Sequence, residues 1–254
     1  MDFLIPFNRN NLPKAREGRH NNLFLGALEE DVFERIAPYI EPIELKRGAV
    51  VCEVGDVLEY AYFPYRSVLS LTTVLSDGAA IETASIGREG AFGLLSAIYS
   101  LVSFTRCVIQ SEGGLARCPI ELLQPEFENN RHVRDLFVSY SQTLMTQLQQ
   151  SVACSARHTT QQRLCRWLLT MHDRAEEELL TYTHEALALI LGANRKSVTL
   201  AAQSLQAAGF VSYHRGAIRI LDRHGLENAS CECYEFVKAR FRAFLEPRAR
   251  TIHG

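Results

Sequence analysis

Residues 131 to 157, RHVRDLFVSYSQTLMTQLQQSVACSAR, contain neither glycine nor proline, and a chain holding such a run has to house one long helix. Val133, Phe137, Tyr140, Leu144, Leu148 and Val152 recur there at steps of three and four, the period of a helical stripe. At 1.5 Å per residue the helix is a rod of roughly 40 Å. Between Leu136 and Ala156 there is no Asp, Glu, Lys or Arg, whereas a helix bathed by water normally carries charge on its outer face. Cover on most sides is therefore expected, either from the chain's own domains or from the same helix of a second copy in a short coiled coil. Phe137, Tyr140, Leu144, Leu148 and Val152 are the expected dimer face.

What precedes this helix has the opposite texture. From about residue 42 to 120, β-branched and aromatic residues alternate with polar ones, and Gly48, Gly55-Asp56, Asp77-Gly78 and Gly113-Gly114 supply turns at short intervals, as in a sandwich, roll or barrel. EDVFERIAPYI before and IELLQPEF after read as short helices. The net charge of −2 hides an asymmetry: residues 23 to 135 hold 17 acids against 9 bases, residues 136 to 254 hold 10 against 14. Opposite signs suggest that a module facing a polyanion is joined to one that does not. The longest strictly apolar run, ALALIL at 186 to 191, is far short of the roughly 20 residues of a membrane span, so no membrane partner is expected. The first 22 residues read as a tail without the pattern of a secretory signal, and Glu176 to Glu178 as a solvated turn.

Seven cysteines without a CxxC pair point to a reducing cytoplasm rather than a disulfide scaffold. CEC, Cys231 to Cys233, with His224 nearby could hold a metal or sense oxidation. The zinc spacings are absent, so buried thiols are the expectation, with no metal and no cofactor. Cys154 and His158 lie four residues apart, so on a helix they would share a face and could form a nucleophile–base pair. No third group to orient them can be named, and no catalytic residues are expected.

The functional signal lies at LGANRKSVTLAAQSL, residues 191 to 205. Thr183 caps a first helix whose inward face is Leu187, Ala188 and Leu191; Gly192 ends it. Asn194 caps a second helix with Val198, Ala201, Ala202 and Leu205 inward. Leu187, Ala188, Leu191, Gly192 and Val198 stand at helix-turn-helix spacing. The outward face holds Arg195, Lys196, Thr199, Leu200 and Gln203, with its cations in the first turn, where a helix entering the major groove meets base edges. Ser197 and the free N–H groups there suit a phosphate. GFVSYHRGAIRIL, residues 209 to 221, follows as strand, turn at Arg215-Gly216 and strand, a wing that would place His214, Arg215 and Arg219 beside the DNA backbone. Double-stranded DNA is the expected partner.

In the order of its parts the chain resembles the Crp/Fnr superfamily of bacterial transcription regulators over nearly its whole length. The residues that carry the resemblance are YFPYRSVLSL, SDGAAIETASIGREGAFGLL, QSVACSARHTTQQRLCRWLLTMHDR, LILGANRKSVTLAAQSLQAAGFVSYHRGAIRILD and CECY. It implies an α+β fold: an N-terminal β-roll, the cyclic-nucleotide-binding-like jelly roll, then a long dimerisation helix and a C-terminal winged helix-turn-helix. The implied boundaries are a tail over 1–22, a sensor roll over 23–130, the dimerisation helix over 131–157, the DNA-binding domain over 158–235 and a helical tail over 236–254. A homodimer on an inverted-repeat operator and contact with RNA polymerase are implied as well.

Residue by residue, Arg195 takes the position of a base-reading arginine of the cyclic-AMP-responsive members, while Thr183, Ser197 and His214 fall at positions similar to phosphate contacts. Lys196 stands in place of a glutamate and Leu200 in place of a second arginine, so a different half-site is expected, with Leu200 open to apolar contact such as a thymine methyl. In the sensor, Gly93 keeps its place, but Leu94 stands where cyclic-AMP binders have a glutamate and Phe104-Thr105 where they have Arg-Ser. An anionic cyclic phosphate would find no cation at that spot, and no cysteine precedes Cys52 to hold an N-terminal iron–sulfur cluster. The signal is therefore expected to be neither. A haem, a small apolar ligand, a thiol switch at Cys107, Cys118 or Cys154, or no effector stay open.

Overall fold

Strands of three to seven residues with one apolar face, broken by glycines, pair into two antiparallel sheets. The computed structural model describes residues 19 to 246 apart from 20, 100, 176 and 177. The expected N-terminal tail lies almost wholly outside the described residues, as do Glu176 and Glu177 of the acidic run and residues 247 to 254 of the expected C-terminal tail.

After helices α1 (Leu23–Gly26) and α2 (Glu30–Ile36) come β1 (Glu41–Leu45), β2 (Val50–Cys52), β3 (Tyr60–Pro64), β4 (Val68–Val74) and β5 (Ala80–Ile86). Helix α3 (Leu94–Tyr99), β6 (Arg106–Ser111), β7 (Gly113–Pro119) and α4 (Ile120–Asn129) complete the roll. One sheet runs β1-β7-β3, the other β2-β6-β4-β5. In the second, Leu69 pairs with Ile86 on one side and Ile109 on the other, and all three side chains are buried. The alternation read from the sequence thus becomes the inner face of a roll.

Helix α5 spans Arg131–Arg157. Asn130 caps it, its side-chain oxygen accepting from the N–H groups of His132 and Val133. Helix α6 (Thr160–Ala175), β8 (Leu179–Thr181), α7 (His184–Leu191), α8 (Arg195–Ala207), β9 (Val211–His214) and β10 (Ala217–Ile220) follow, then α9 (Arg223–Ala229) and α10 (Cys233–Leu245). β8, β10 and β9 form a three-stranded sheet in that order.

The structure corrects the expected dimer face. Phe137, Tyr140 and Leu144 are buried in the chain's own core, and Leu148 packs against it. Their neighbours come from the roll and from α10: the Phe137 and Tyr140 rings stand 5.5 and 5.4 Å from that of Phe24, and Tyr140 lies 5.8 Å from Phe244. The Tyr140 hydroxyl donates to the Ala91 carbonyl at 2.8 Å and accepts from the Ala91 N–H at 3.0 Å. Any side chain at Gly90 would collide with that ring, at 2.5 Å from the hydroxyl. Of the expected face only Val152 lies open, 72% exposed.

Helix α10 runs through the expected boundary at 235/236. Its Phe241 and Phe244 enter the core of the roll, where burying a side chain of that size contributes about 1.5–3 kcal/mol. The helix-turn-helix segment has a core of its own around Leu164, Leu168, Leu187, Val198, Leu205 and Ile218. Polar contacts then tie the two cores. Arg174, nearly buried, is 2.8 Å from Glu89 and donates to the Ser85 carbonyl at 2.9 Å. The Trp167 indole donates to Glu82 at 3.2 Å, and the Tyr182 hydroxyl to the Gln110 carbonyl at 2.9 Å.

Candidate nucleic-acid interface

The two helices of the motif are set by caps and one glycine. Thr183 Oγ1 accepts from the Ala186 N–H at 3.1 Å and starts α7. Gly192, at φ 55° and ψ 46°, ends it in the left-handed conformation that glycine adopts without a side-chain penalty. Asn194 Oδ1 then accepts from the Ser197 N–H at 2.8 Å and starts α8 in a new direction. Leu187, Val198 and Leu205 are fully buried between the helices, with Ala188 in the crossing.

This inner packing leaves the other side of α8 to solvent. Arg195, Lys196 and Gln203 are exposed, Ser197 and Thr199 half-buried, and Leu200 is 58% exposed. Arg195 lies 3.6 Å from Glu185, both side chains largely exposed. Such a surface pair is worth about 0–1 kcal/mol and releases the guanidinium cheaply. Thr199 is not free to the same degree: its hydroxyl donates to the Arg195 carbonyl at 2.9 Å and lies 3.0 Å from His184 Nδ1.

His184, which the sequence did not single out, packs against Tyr213 with tilted rings 4.6 Å apart and so joins α7, α8 and the wing. Burial first, and then the Arg195 charge, lower its pKa below 6.5. The only sequence signal for it was position, one residue after the cap. Gln206 was missed too; its side-chain oxygen accepts from the Tyr213 N–H at 2.9 Å and fixes β9 on the recognition helix.

β9 and β10 are joined by Arg215 and Gly216 alone, with His214 paired to Ala217. Both turn residues have positive φ, 49° and 86°, the signature of the two-residue turn that matches strand twist. His214, Arg215 and Arg219 are exposed around it, as is Thr183 at the start of α7. β8 adds a strand that the sequence did not reveal.

Among the described residues, the four expected effector positions differ in burial, and none of them lines either of two cavities. Leu94 is 2% exposed and belongs to the roll core, whereas Phe104 is 80% exposed. Thr105 donates its N–H to Ser103 at 3.3 Å. Gly93 has φ 92°, and a side chain there would press on the Tyr60 carbonyl at 3.0 Å. One cavity of about 60 Å³ lies between β5, α5, α6 and α10, and another of about 260 Å³ beside Arg88, Glu89, Asp173 and Lys238. Spacing alone could not show that Leu94, lacking a carboxylate, would turn into the core.

The fold is a winged helix-turn-helix with a β-roll in front of it. Residues 162–229 match the family model of the Crp-like helix-turn-helix domain. The global nitrogen regulator of Nostoc sp. is 24% identical over 205 residues, covering 75% of this chain and 91% of that protein. FixK2 from Bradyrhizobium japonicum has the same fold, with a TM-score of 0.65 at 16% identity over 76% of this chain and 98% of that one. A putative Crp/Fnr-family regulator from Eubacterium rectale gives 0.64 at 18% identity over 83% and 98%. Residues 162–229 are thus similar to a Crp-like helix-turn-helix domain, and the chain has the fold of these solved structures. No helix among the described residues is long and apolar enough to cross a membrane.

Proposed function

We propose that the chain is a homodimeric, sequence-specific DNA-binding regulator that places α8 in the major groove of each half of an inverted-repeat operator. The observation that carries this reading is the packing of α8. One face, Val198, Ala201, Ala202 and Leu205, is buried, while the opposite face sets Arg195 and Lys196 in the exposed first turn beside a cationic wing. Arg195 donates to guanine O6 and N7, Lys196 adds a second donor, and Leu200 meets a thymine methyl. Gln203 lies one turn further along. Thr199, held by His184, orients the helix as much as it reads. Thr183, Ser197, His214 and Arg215 contact phosphates, which fix register without carrying sequence information.

The dimer seam is the other side of α5. With Phe137, Tyr140 and Leu144 turned inward, Val138, Met145 and Val152 remain exposed at intervals of seven residues, with Gln142 and Gln149 between them. Alternate steps of four and three are those of a coiled-coil seam. The absence of charge from Leu136 to Ala156 extends to this outer face, which supports its being covered by a second copy. The two α8 helices would then stand about 34–36 Å apart, one turn of B-DNA.

The burial of Leu94 in the roll core supports a signal other than a cyclic nucleotide. Seven unpaired, buried cysteines support a reducing cytoplasm as the setting. Selection of duplexes from a random pool tests the whole reading. The expected product is a palindrome with half-sites one helical turn apart, and recovery of sites without two-fold symmetry refutes it.

A further inference from the structure

Cys154 and His158, one turn apart at the end of α5, meet Cys231 and Cys233 from the α9–α10 connection, more than seventy residues away in sequence. Their ligand atoms, three Sγ and one imidazole nitrogen, all lie within 4.8 Å of one another. The imidazole beside CEC is thus His158, not the His224 suggested by proximity in the sequence.

The spacing inside the group discriminates between chemistries. Cys154 Sγ is 3.6 Å from Cys231 Sγ, and Cys233 Sγ is 3.5 Å from His158 Nδ1. A tetrahedral Zn²⁺ with its ordinary bond lengths has ligand edges of about 3.8 Å for S···S and about 3.5 Å for S···N. A disulfide would engage two of the four groups at about 2.05 Å and would leave Cys233 and His158 unexplained.

The surroundings fit as well. His158 Nε2 is 3.2 Å from a Glu232 carboxylate oxygen, the contact that fixes the tautomer and ring orientation of a metal-bound histidine. Nδ1 is left facing the sulfurs. The Gln150 side-chain amide donates to Cys233 Sγ at 3.0 Å, and Arg163 and Arg166 act electrostatically on Cys154. Three thiolates and Zn²⁺ leave one net negative charge, which those guanidinium groups offset.

We propose that Cys154, His158, Cys231 and Cys233 form a mononuclear zinc site that ties the end of the long helix to the start of the C-terminal helix. Binding releases the three thiol protons to solvent and changes no oxidation state. The site lies where α5 hands over to α6, two residues before Thr160, and on the first residue of α10, whose Phe241 and Phe244 enter the roll. Metal therefore fastens the junction between roll and helix-turn-helix. Nothing in this depends on DNA binding.

The test uses the full-length protein purified under reducing conditions, with metal measured by mass spectrometry and Co²⁺ as the spectroscopic probe. One equivalent of zinc per chain is expected, exchangeable for Co²⁺ with the ligand-field bands of a tetrahedral site and a strong thiolate-to-cobalt charge-transfer band. The double variant Cys231→Ser/Cys233→Ser should lose both, while Cys118→Ser, in the roll, keeps them. If the double variant fails to fold, the spectrum of the unaltered chain decides alone. A folded, reduced chain that takes up neither ion, metal that persists in a folded double variant, or a native Cys154–Cys231 disulfide without metal overturns the proposal.

Discussion

Replacing Arg215 by Asn separates the fold of the wing from its contact with DNA. Arg215 occupies the first position of the two-residue turn at φ 49°, and an ordinary side chain in the left-handed region costs roughly 1–2 kcal/mol. Asn followed by Gly is the favoured pair for this turn, so Arg215→Asn should recover about 1 kcal/mol. For a cooperative unit of this size that raises Tm by about 2–4 °C. The same change removes one cation per subunit, two per dimer. Each neutralised phosphate contributes about −0.9 to the slope of log Kobs against log salt, so the slope should become shallower by about 1.8. Preference for the operator over a scrambled duplex should not move, because a phosphate contact carries no base information. Calorimetry and fluorescence anisotropy across a salt series measure the two arms independently. A lower Tm refutes the turn argument, and an unchanged slope refutes the wing contact.

Arg195→Ala should erode discrimination at one base pair per half-site, by about 1–3 kcal/mol; binding to a set of single-base operator variants measures this, and a uniform loss across them contradicts base reading by Arg195. Met145→Glu places like charges on the exposed seam of α5 and should yield a folded monomer by light scattering, with Tm nearly unchanged; a persisting dimer places the interface elsewhere. His184 has a lowered folded-state pKa, so the unfolded chain binds more protons as pH falls through the histidine range near 6.5. The stability it contributes is present above that range and is lost on acidification. His184→Gln should flatten that part of the stability–pH curve, and a curve of the same shape in the variant rules out His184 as its source.

The helix-turn-helix was legible because everything that builds it is local. Thr183, Gly192, Asn194 and Val198 lie within one short stretch, and each acts on neighbours a few residues away through a cap, a left-handed turn or a helical face. Alternation and glycine punctuation revealed the roll by the same logic, though not its strand order, which rests on pairings such as β1 with β7 between distant segments.

Periodicity picked out Phe137, Tyr140 and Leu144 as covered, wrongly added the exposed Val152, and carries no information on what covers the others. Phe137, Tyr140 and Leu144 are apolar for the sake of Phe24 and Phe244 of the same chain, and only the folded chain exposes Val138, Met145 and Val152 as the other face. Leu94 and Phe104 likewise have ordinary sequence positions, and the tertiary structure alone sends one inward and the other into solvent. Cys154 and His158 are separated from Cys231 and Cys233 by the whole segment that matches the Crp-like helix-turn-helix domain, residues 162–229, so no spacing rule unites them. Short-range chemistry is written in the order of residues, whereas side-chain neighbours from opposite ends of a chain exist only after it closes on itself.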